Sequence, residues 1–174
     1  ADDPGPISSQ TEQDTRHFSR FSKLPCFDPS SAQEAYEMIQ EAFEYSEKYG
    51  TPVFLRPTTR VCHGYASIMV KDETEYTHHQ PEGFIKDSKR WVIFPRLSFM
   101  NHKKIEARNQ ELSDIFSSYE KNTIHPSCDA FKDSKKGIAT GGISYTYTME
   151  TLKKTGMVKT LKIATPHPFP EKLA

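Results

Sequence analysis

Apolar positions recur with helical spacing most clearly over residues 31–49, where Ala35, Met38, Ile39, Ala42, Phe43, Ser46 and Tyr49 fall at i, i+3, i+4 and i+7 and share one face. Ser30 with Gln33, or Ser31 with Glu34, supplies a capping box at the start of this helix. Gly50 closes it and Pro52 prevents its continuation. Short apolar runs lie on either side, at 24–27 and 53–56. Strand, helix and strand joined by a few residues predict two parallel strands with a right-handed crossover. A shorter helix is expected over residues 12–22, where Phe18 and Phe21 are three apart.

After Gly64 the apolar periodicity fades. Residues 71–90 are dense in Lys, Asp, Glu, Thr and His, which predicts a linker or an extended crossing over the surface. The run 91–94 (Trp-Val-Ile-Phe) is expected to be a strand that docks this crossing. A second amphipathic helix is expected over 103–120, built on Ile105, Leu112, Ile115, Phe116 and Tyr119. Residues 137–143 read as a strand ending in a glycine turn, followed by a helix to about Lys154 and a strand near 161–163, a second β-α-β unit. There is no internal repeat and no low-complexity tract. The opening Asp-Pro-Gly run reads as the loop after a strand, and residues 171–174 as the first turn of a helix, so the stretch is expected to be part of something longer.

Composition narrows the classes of function. The 174 residues are 35% hydrophobic, enough for one ordinary domain or parts of two, and a mean hydropathy of −0.70 implies much loop. Twenty-three basic residues balance 23 acidic ones without long runs of either sign, so neither nucleic acid nor an anionic membrane is an expected partner. No apolar run is long enough to span a bilayer. Three cysteines, Cys26, Cys62 and Cys128, make no disulfide framework and suit a reducing, cytoplasmic setting.

Several polar groups are candidates for chemistry. Residues 8–16 concentrate donors, acceptors and both signs of charge ahead of a helix, in the loop position where open α/β sheets bind ligands. The same residues also suit an N-cap, with acidic groups placed well on the helix dipole. Gly141-Gly142 after a strand invites a phosphate-loop interpretation, but the spacing matches neither nucleotide fingerprint and a tight strand-to-helix turn explains it better. Cys62, His63, His125 and Cys128 have the wrong spacing for a zinc knuckle. His78-His79 reads as a solvated pair. Arg56 and Arg60, just past a strand, suit either a bound carboxylate or phosphate or an interface ion pair.

Longer motifs then bear on these alternatives. Residues 1–16 (Ala-Asp-Asp-Pro-Gly-Pro-Ile-Ser-Ser-Gln-Thr-Glu-Gln-Asp-Thr-Arg), 33–37 and 52–64 (Pro-Val-Phe-Leu-Arg-Pro-Thr-Thr-Arg-Val-Cys-His-Gly) resemble the α subunits of indolepyruvate ferredoxin oxidoreductases. These belong to the thiamine-diphosphate-dependent 2-oxoacid:ferredoxin oxidoreductases. The resemblance continues through 92–96, 143–147 and 162–172, nearly the whole chain. It implies an α/β fold: a partial thiamine-diphosphate-binding, pyrimidine-type parallel-sheet domain, followed by the start of a transketolase C-terminal-like α/β domain. Residues 1–64 would be the second half of the former, 65–129 a linker or crossing with a strand and a helix, and 130–174 the start of the latter.

The family reaction is oxidative decarboxylation of an aryl 2-oxoacid, with the acyl group passed to coenzyme A and the electrons passed through iron–sulfur clusters to ferredoxin. The resemblance thus implies thiamine diphosphate, magnesium and [4Fe–4S] clusters as cofactors of the parent, and a second subunit as partner. It points to Gln10, Glu12, Gln13 and Asp14 as lining of a cofactor or substrate pocket and to Arg16 as a carboxylate partner. The departures are equally specific. The carboxylate that engages the aminopyrimidine would precede residue 1, and neither a Gly-Asp-Gly motif nor a Cys-x-x-Cys-x-x-Cys run occurs here. This stretch alone is therefore expected to be inactive and to hold none of the cofactors fully. Two alternatives stay open, the same chemistry on pyruvate or another 2-oxoacid, and a non-catalytic scaffold that keeps the thiamine fold for assembly.

Overall fold

A computed structural model describes residues 13–76 and 80–174. The chain is mixed α/β. Its first β-α-β unit comprises β1 (Cys26–Phe27), α2 (Ala32–Tyr49) and β2 (Phe54–Leu55), preceded by α1 (Arg16–Ser22) and followed by the short α3 (Thr59–Cys62). β1 and β2 pair in parallel, with Cys26 beside Phe54 and Phe27 beside Leu55, as the spacing of the apolar runs predicts. Helix α2 starts where its sequence dictates. Ser31 accepts a hydrogen bond from the Glu34 backbone N–H, and the Glu34 carboxylate reaches back to the N–H and hydroxyl of Ser30. At the other end Gly50 adopts a left-handed conformation (φ +56°), which a residue with a Cβ adopts only with strain.

The second unit comprises β4 (Ile138–Thr140), α6 (Gly142–Thr155) and β5 (Thr160–Lys162), again with parallel strands, and β3 (Thr123–His125) adds antiparallel to the free side of β5. The chain leaving β5 then runs antiparallel along β1. Asp28 N–H donates to the Ala164 carbonyl (2.8 Å) and Cys26 N–H to the His167 carbonyl (2.7 Å). The carboxyl ends of β1 and β2 therefore face the carboxyl ends of β4 and β5 across one crevice.

The core sits behind this crevice. Phe27, Met38, Ala42, Leu112, Phe116 and Ala164 are buried together, drawn from β1, α2, the long helix α5 (Pro95–Phe116) and the segment after β5. Phe27 makes edge-on contacts with Tyr45, Phe116 and Tyr119 at ring separations of 5.4, 5.6 and 5.8 Å. Asn122 fastens α5 to the segment after β5. Its side-chain amide donates to the Phe116 carbonyl and the Thr165 hydroxyl, while its oxygen accepts from the backbone of Ala164 and Thr165. Four polar groups are satisfied by one buried side chain.

The run 91–94 is not a strand. Trp91 closes a short helix, α4 (Ser88–Trp91), and Phe94 is the N-cap of α5, whose first residue is Pro95. Proline suits that first helical position because its missing N–H would have no partner there. Helix α5 thus begins eight residues earlier than the apolar spacing suggests. The described residues of the crossing from Gly64 to Phe94 are almost wholly exposed, with polar contacts to α2: Gln33 exchanges hydrogen bonds with the backbone of Met69, and the Tyr36 hydroxyl accepts from Lys71 N–H.

Because Phe116 is fully buried in the aromatic cluster, Phe116→Ala should destabilise the fold by about 3–5 kcal/mol. Phe43→Ala, on the exposed face of α2, should change stability by less than about 0.5 kcal/mol. Chemical denaturation of both variants checks the contrast.

Candidate functional site

The residue after β1 is Asp28 and the residue after β2 is Arg56, so the parallel register that sets Phe27 beside Leu55 also sets these two side by side. Arg56 donates through Nη1 to Asp28 Oδ2 at 2.9 Å, and both side chains are buried, with only 8% and 2% of their surfaces exposed. The second Nη of Arg56 lies 3.8 Å from Asp14 Oδ1. Asp14 in turn receives a two-pronged contact from Arg16, Nε to Oδ1 at 2.8 Å and Nη2 to Oδ2 at 2.6 Å, and the Arg16 backbone N–H joins at 3.1 Å. Two carboxylates and two guanidiniums alternate in one chain of contacts at the carboxyl ends of β1 and β2.

This chain of charge sets the protonation of Asp14. The hydrogen bond from the Arg16 side chain is the largest influence and outweighs partial burial, with the Arg16 backbone and the charges of Arg16 and Arg56 assisting, so the carboxyl is held at about 2. Asp14 is therefore an anion over the whole physiological range and cannot serve as a proton donor there. It is a fixed negative charge or a hydrogen-bond acceptor.

The glycine turn closes the site from the other unit. Gly142 has φ +52°, and a Cβ there would come 2.6 Å from Asp28 Oδ1; a Cβ on Gly141 would collide with the Ile163 carbonyl. The turn at the N-terminus of α6, where a phosphate loop would hold its anion, thus already has the buried Asp28 carboxylate against it. Beside it, Glu34 of α2, partly buried, forms an ion pair with the buried Lys162 of β5. Burial would raise the Glu34 carboxyl, but hydrogen bonds from Lys162 and from Ser30 together outweigh it and the net shift is downward. The Lys162 ammonium also lies 4.7 Å from the centre of the Tyr145 ring, whose hydroxyl contacts His125 Nε2 at 2.9 Å. Thr146 Oγ1 donates to the Ser30 carbonyl, a further tie between α6 and the start of α2.

Of the candidates from the sequence, Gln10 and Glu12 lie outside the described residues, as do His78 and His79. Gln13 is exposed and Asp14 half-buried. Arg16 spends its guanidinium on Asp14. Arg56 takes up the ion-pair alternative and Gly141-Gly142 the tight-turn alternative, while Asp28, Glu34 and Lys162 join the site without having been singled out for it. Among the described residues no three His, Cys, Asp or Glu side chains come together in a way that could hold a metal ion.

No family model matches the chain. Curated relatives do. Over 98% of its length it is 38% identical to the indolepyruvate oxidoreductase subunit IorA of Pyrococcus abyssi and 37% identical to that of Methanothermobacter thermautotrophicus; over 99% it is 33% identical to that of Archaeoglobus fulgidus. The chain covers 26–27% of those proteins, so it spans about a quarter of the length of the relatives it matches.

Arg56→Ala should destabilise the fold by about 3–5 kcal/mol, because it leaves Asp28 buried without its guanidinium. The paired replacement Asp28→Leu with Arg56→Met should recover most of that loss, as read by denaturant unfolding. Arg16→Ala should move the Asp14 titration upward, toward its ordinary 3.8, in carboxyl-detected NMR. The sign for stability follows. A carboxyl depressed in the folded state contributes fully above about 4, and the contribution fades as pH falls through about 2. Arg16→Ala should therefore flatten the acid limb of the stability profile.

Proposed function

We propose that this chain is the stretch of an indolepyruvate:ferredoxin oxidoreductase α subunit that builds one wall of its thiamine-diphosphate site, and that the parent oxidatively decarboxylates an aryl 2-oxoacid. The supporting observation is the similarity to IorA subunits along 98% of the chain. Residues 1–64 take the role of the second half of a pyrimidine-type domain and residues from about 130 that of the start of a transketolase C-terminal-like domain. Coenzyme A, ferredoxin and a second subunit are the partners this reading assigns to the parent.

The residues present do not fit the magnesium and diphosphate end of the cofactor. The helix N-terminus that would receive a diphosphate faces Asp28, and a phosphoryl group placed there would meet a buried carboxylate within van der Waals range. That end of the cofactor is assigned to the parts of the subunit beyond these residues. What this chain supplies is a wall of fixed charge. Asp14, anionic at neutral pH, with Gln13 exposed next to it, presents acceptors and donors at the carboxyl ends of β1 and β2. Arg56 holds Asp14 from behind while itself neutralised by Asp28. A preorganised acceptor of this kind orients a bound group without a change in its own protonation.

The test is turnover of the full-length parent on indolepyruvate, phenylpyruvate and pyruvate, with coenzyme A and a viologen acceptor. The aryl oxoacids should be oxidised in preference to pyruvate, and Asp14→Ala or Gln13→Ala should cut turnover at least tenfold, about 1.4 kcal/mol in the barrier. Preference for pyruvate would reassign the substrate. Inactivity on all three would favour a scaffold, and full activity of both variants would reduce residues 13–16 to a helix cap.

A further inference from the structure

Helix α1 is held at both of its ends. At its C-terminal end Lys23 pairs with Glu106 of α5, and the Lys23 carbonyl accepts from Arg108. At its N-terminal end Arg56 ties it to the sheet, with Nη2 of that guanidinium 3.8 Å from Asp14 Oδ1, just ahead of the helix. Arg56 is itself placed by the sheet. Its backbone N–H donates to the Phe27 carbonyl at 2.8 Å, and its Nη1 donates to Asp28 at 2.9 Å.

Asp28 is fixed in turn by the second unit. Its backbone N–H donates to the Ala164 carbonyl at 2.8 Å, and its carboxylate lies so near the α6 turn that a Cβ on Gly142 would come within 2.6 Å of it. The contacts thus run in one line from the start of α6 through Asp28 and Arg56 to Asp14, from one unit to the edge of the other.

We propose that Arg56 and Asp28 are positioning residues for Asp14, so that the seat of α6 sets where that carboxylate stands at the crevice. This rests on the reading of Asp14 as an orienting group in the proposed reaction. A guanidinium is a rigid planar fork, so fixing one prong on Asp28 fixes the direction of the other, which meets Asp14. The two arginines divide the work. Arg16 is a near neighbour in the chain and supplies the largest influence on the Asp14 proton, whereas Arg56 comes from the end of β2 and ties the carboxylate to the sheet. Asp28 and Asp14 also share the one Arg56 charge, so neutralising Asp28 leaves more of it for Asp14.

Carboxyl NMR on the full-length subunit tests it, in an Arg16→Ala background where Asp14 titrates nearer its ordinary 3.8. The paired replacement Asp28→Leu with Arg56→Met should raise the Asp14 titration by roughly half a unit, the effect of losing one cation at this distance in a watery setting. Asp28→Asn, which keeps the shape, should move it the opposite way. Gly142→Ala, whose Cβ must displace the Asp28 carboxylate, should perturb the Asp14 signal from across the crevice. Melting temperature identifies any variant that fails to fold, and Asp28→Asn still decides the sign if the paired replacement does. With Arg16 restored, the paired replacement should lower kcat on indolepyruvate at least about tenfold, and should cost nothing further when added to Asp14→Ala, because both act through one carboxylate. An Asp14 titration that ignores Asp28→Asn or Gly142→Ala in folded protein overturns the proposal, as does a loss of turnover that adds to that of Asp14→Ala. If Asp14 responds as expected while Asp14→Ala turns over at full rate, the positioning stands and the role of Asp14 in the proposed reaction falls.

Discussion

The buried contact between Asp28 and Arg56 is the constraint on which the rest of the structure turns. Each residue follows a two-residue strand, too short to secure its own register. The ion pair adds a specific, directional tie just where the backbone ladder stops: Arg56 N–H donates to the Phe27 carbonyl, and the side chains then meet beyond it. A mis-registered pairing would leave one buried charge alone, at a cost of several kcal/mol, which makes the alternative registers expensive. The pair selects one arrangement of β1 and β2 more than it adds to net stability.

The same carboxylate reaches across to the second unit. Asp28 lies against Gly142, while its own backbone N–H bonds Ala164 in the strand-like segment that leaves β5. Glu34 with Lys162, and Thr146 with the Ser30 carbonyl, repeat the pattern at the start of α2. Buried polar contacts, satisfied from both sides, thus define the crevice, whereas the apolar core of Phe27, Met38, Leu112 and Phe116 lies behind it. Apolar packing holds the elements together and the polar contacts fix how their carboxyl ends face one another.

Legibility in the sequence followed the range of the interactions. Helix α2 was readable because its period, cap and stop signals all lie within twenty residues and agree. The two β-α-β units were readable for the same reason. The run Trp91 to Phe94 misled because four apolar residues look like a strand when their burial is unknown; all four remain exposed, and Pro95 starts a helix directly after them. Strand β3 escaped notice because Thr-Ile-His has a single apolar residue and is held by pairing with β5, where Ile124 lies opposite Leu161, 37 positions further along the chain. Asp28 had a usable signal. Once two runs are read as parallel neighbours, the residues one step past each are neighbours too, and an Asp facing an Arg there is a pair.

The position of Asp28 also settles what the N-terminus of α6 does. A helix N-terminus left open at the carboxyl end of a parallel sheet is an anion site by default, because unpaired backbone N–H groups and the helix dipole both favour negative charge. Here the chain places its own carboxylate at that point and neutralises it with Arg56, so α6 serves to hold the two units in place. A glycine without a Cβ is required for the carboxylate to come so close, and the left-handed φ of Gly142 requires one independently. At the edge carrying Gln13 and Asp14, the negative charge of Asp14 is fixed by Arg16 and Arg56. A fixed carboxylate at this edge and a second one against the N-terminus of α6 together make this end of the two sheets unfavourable to a further anion.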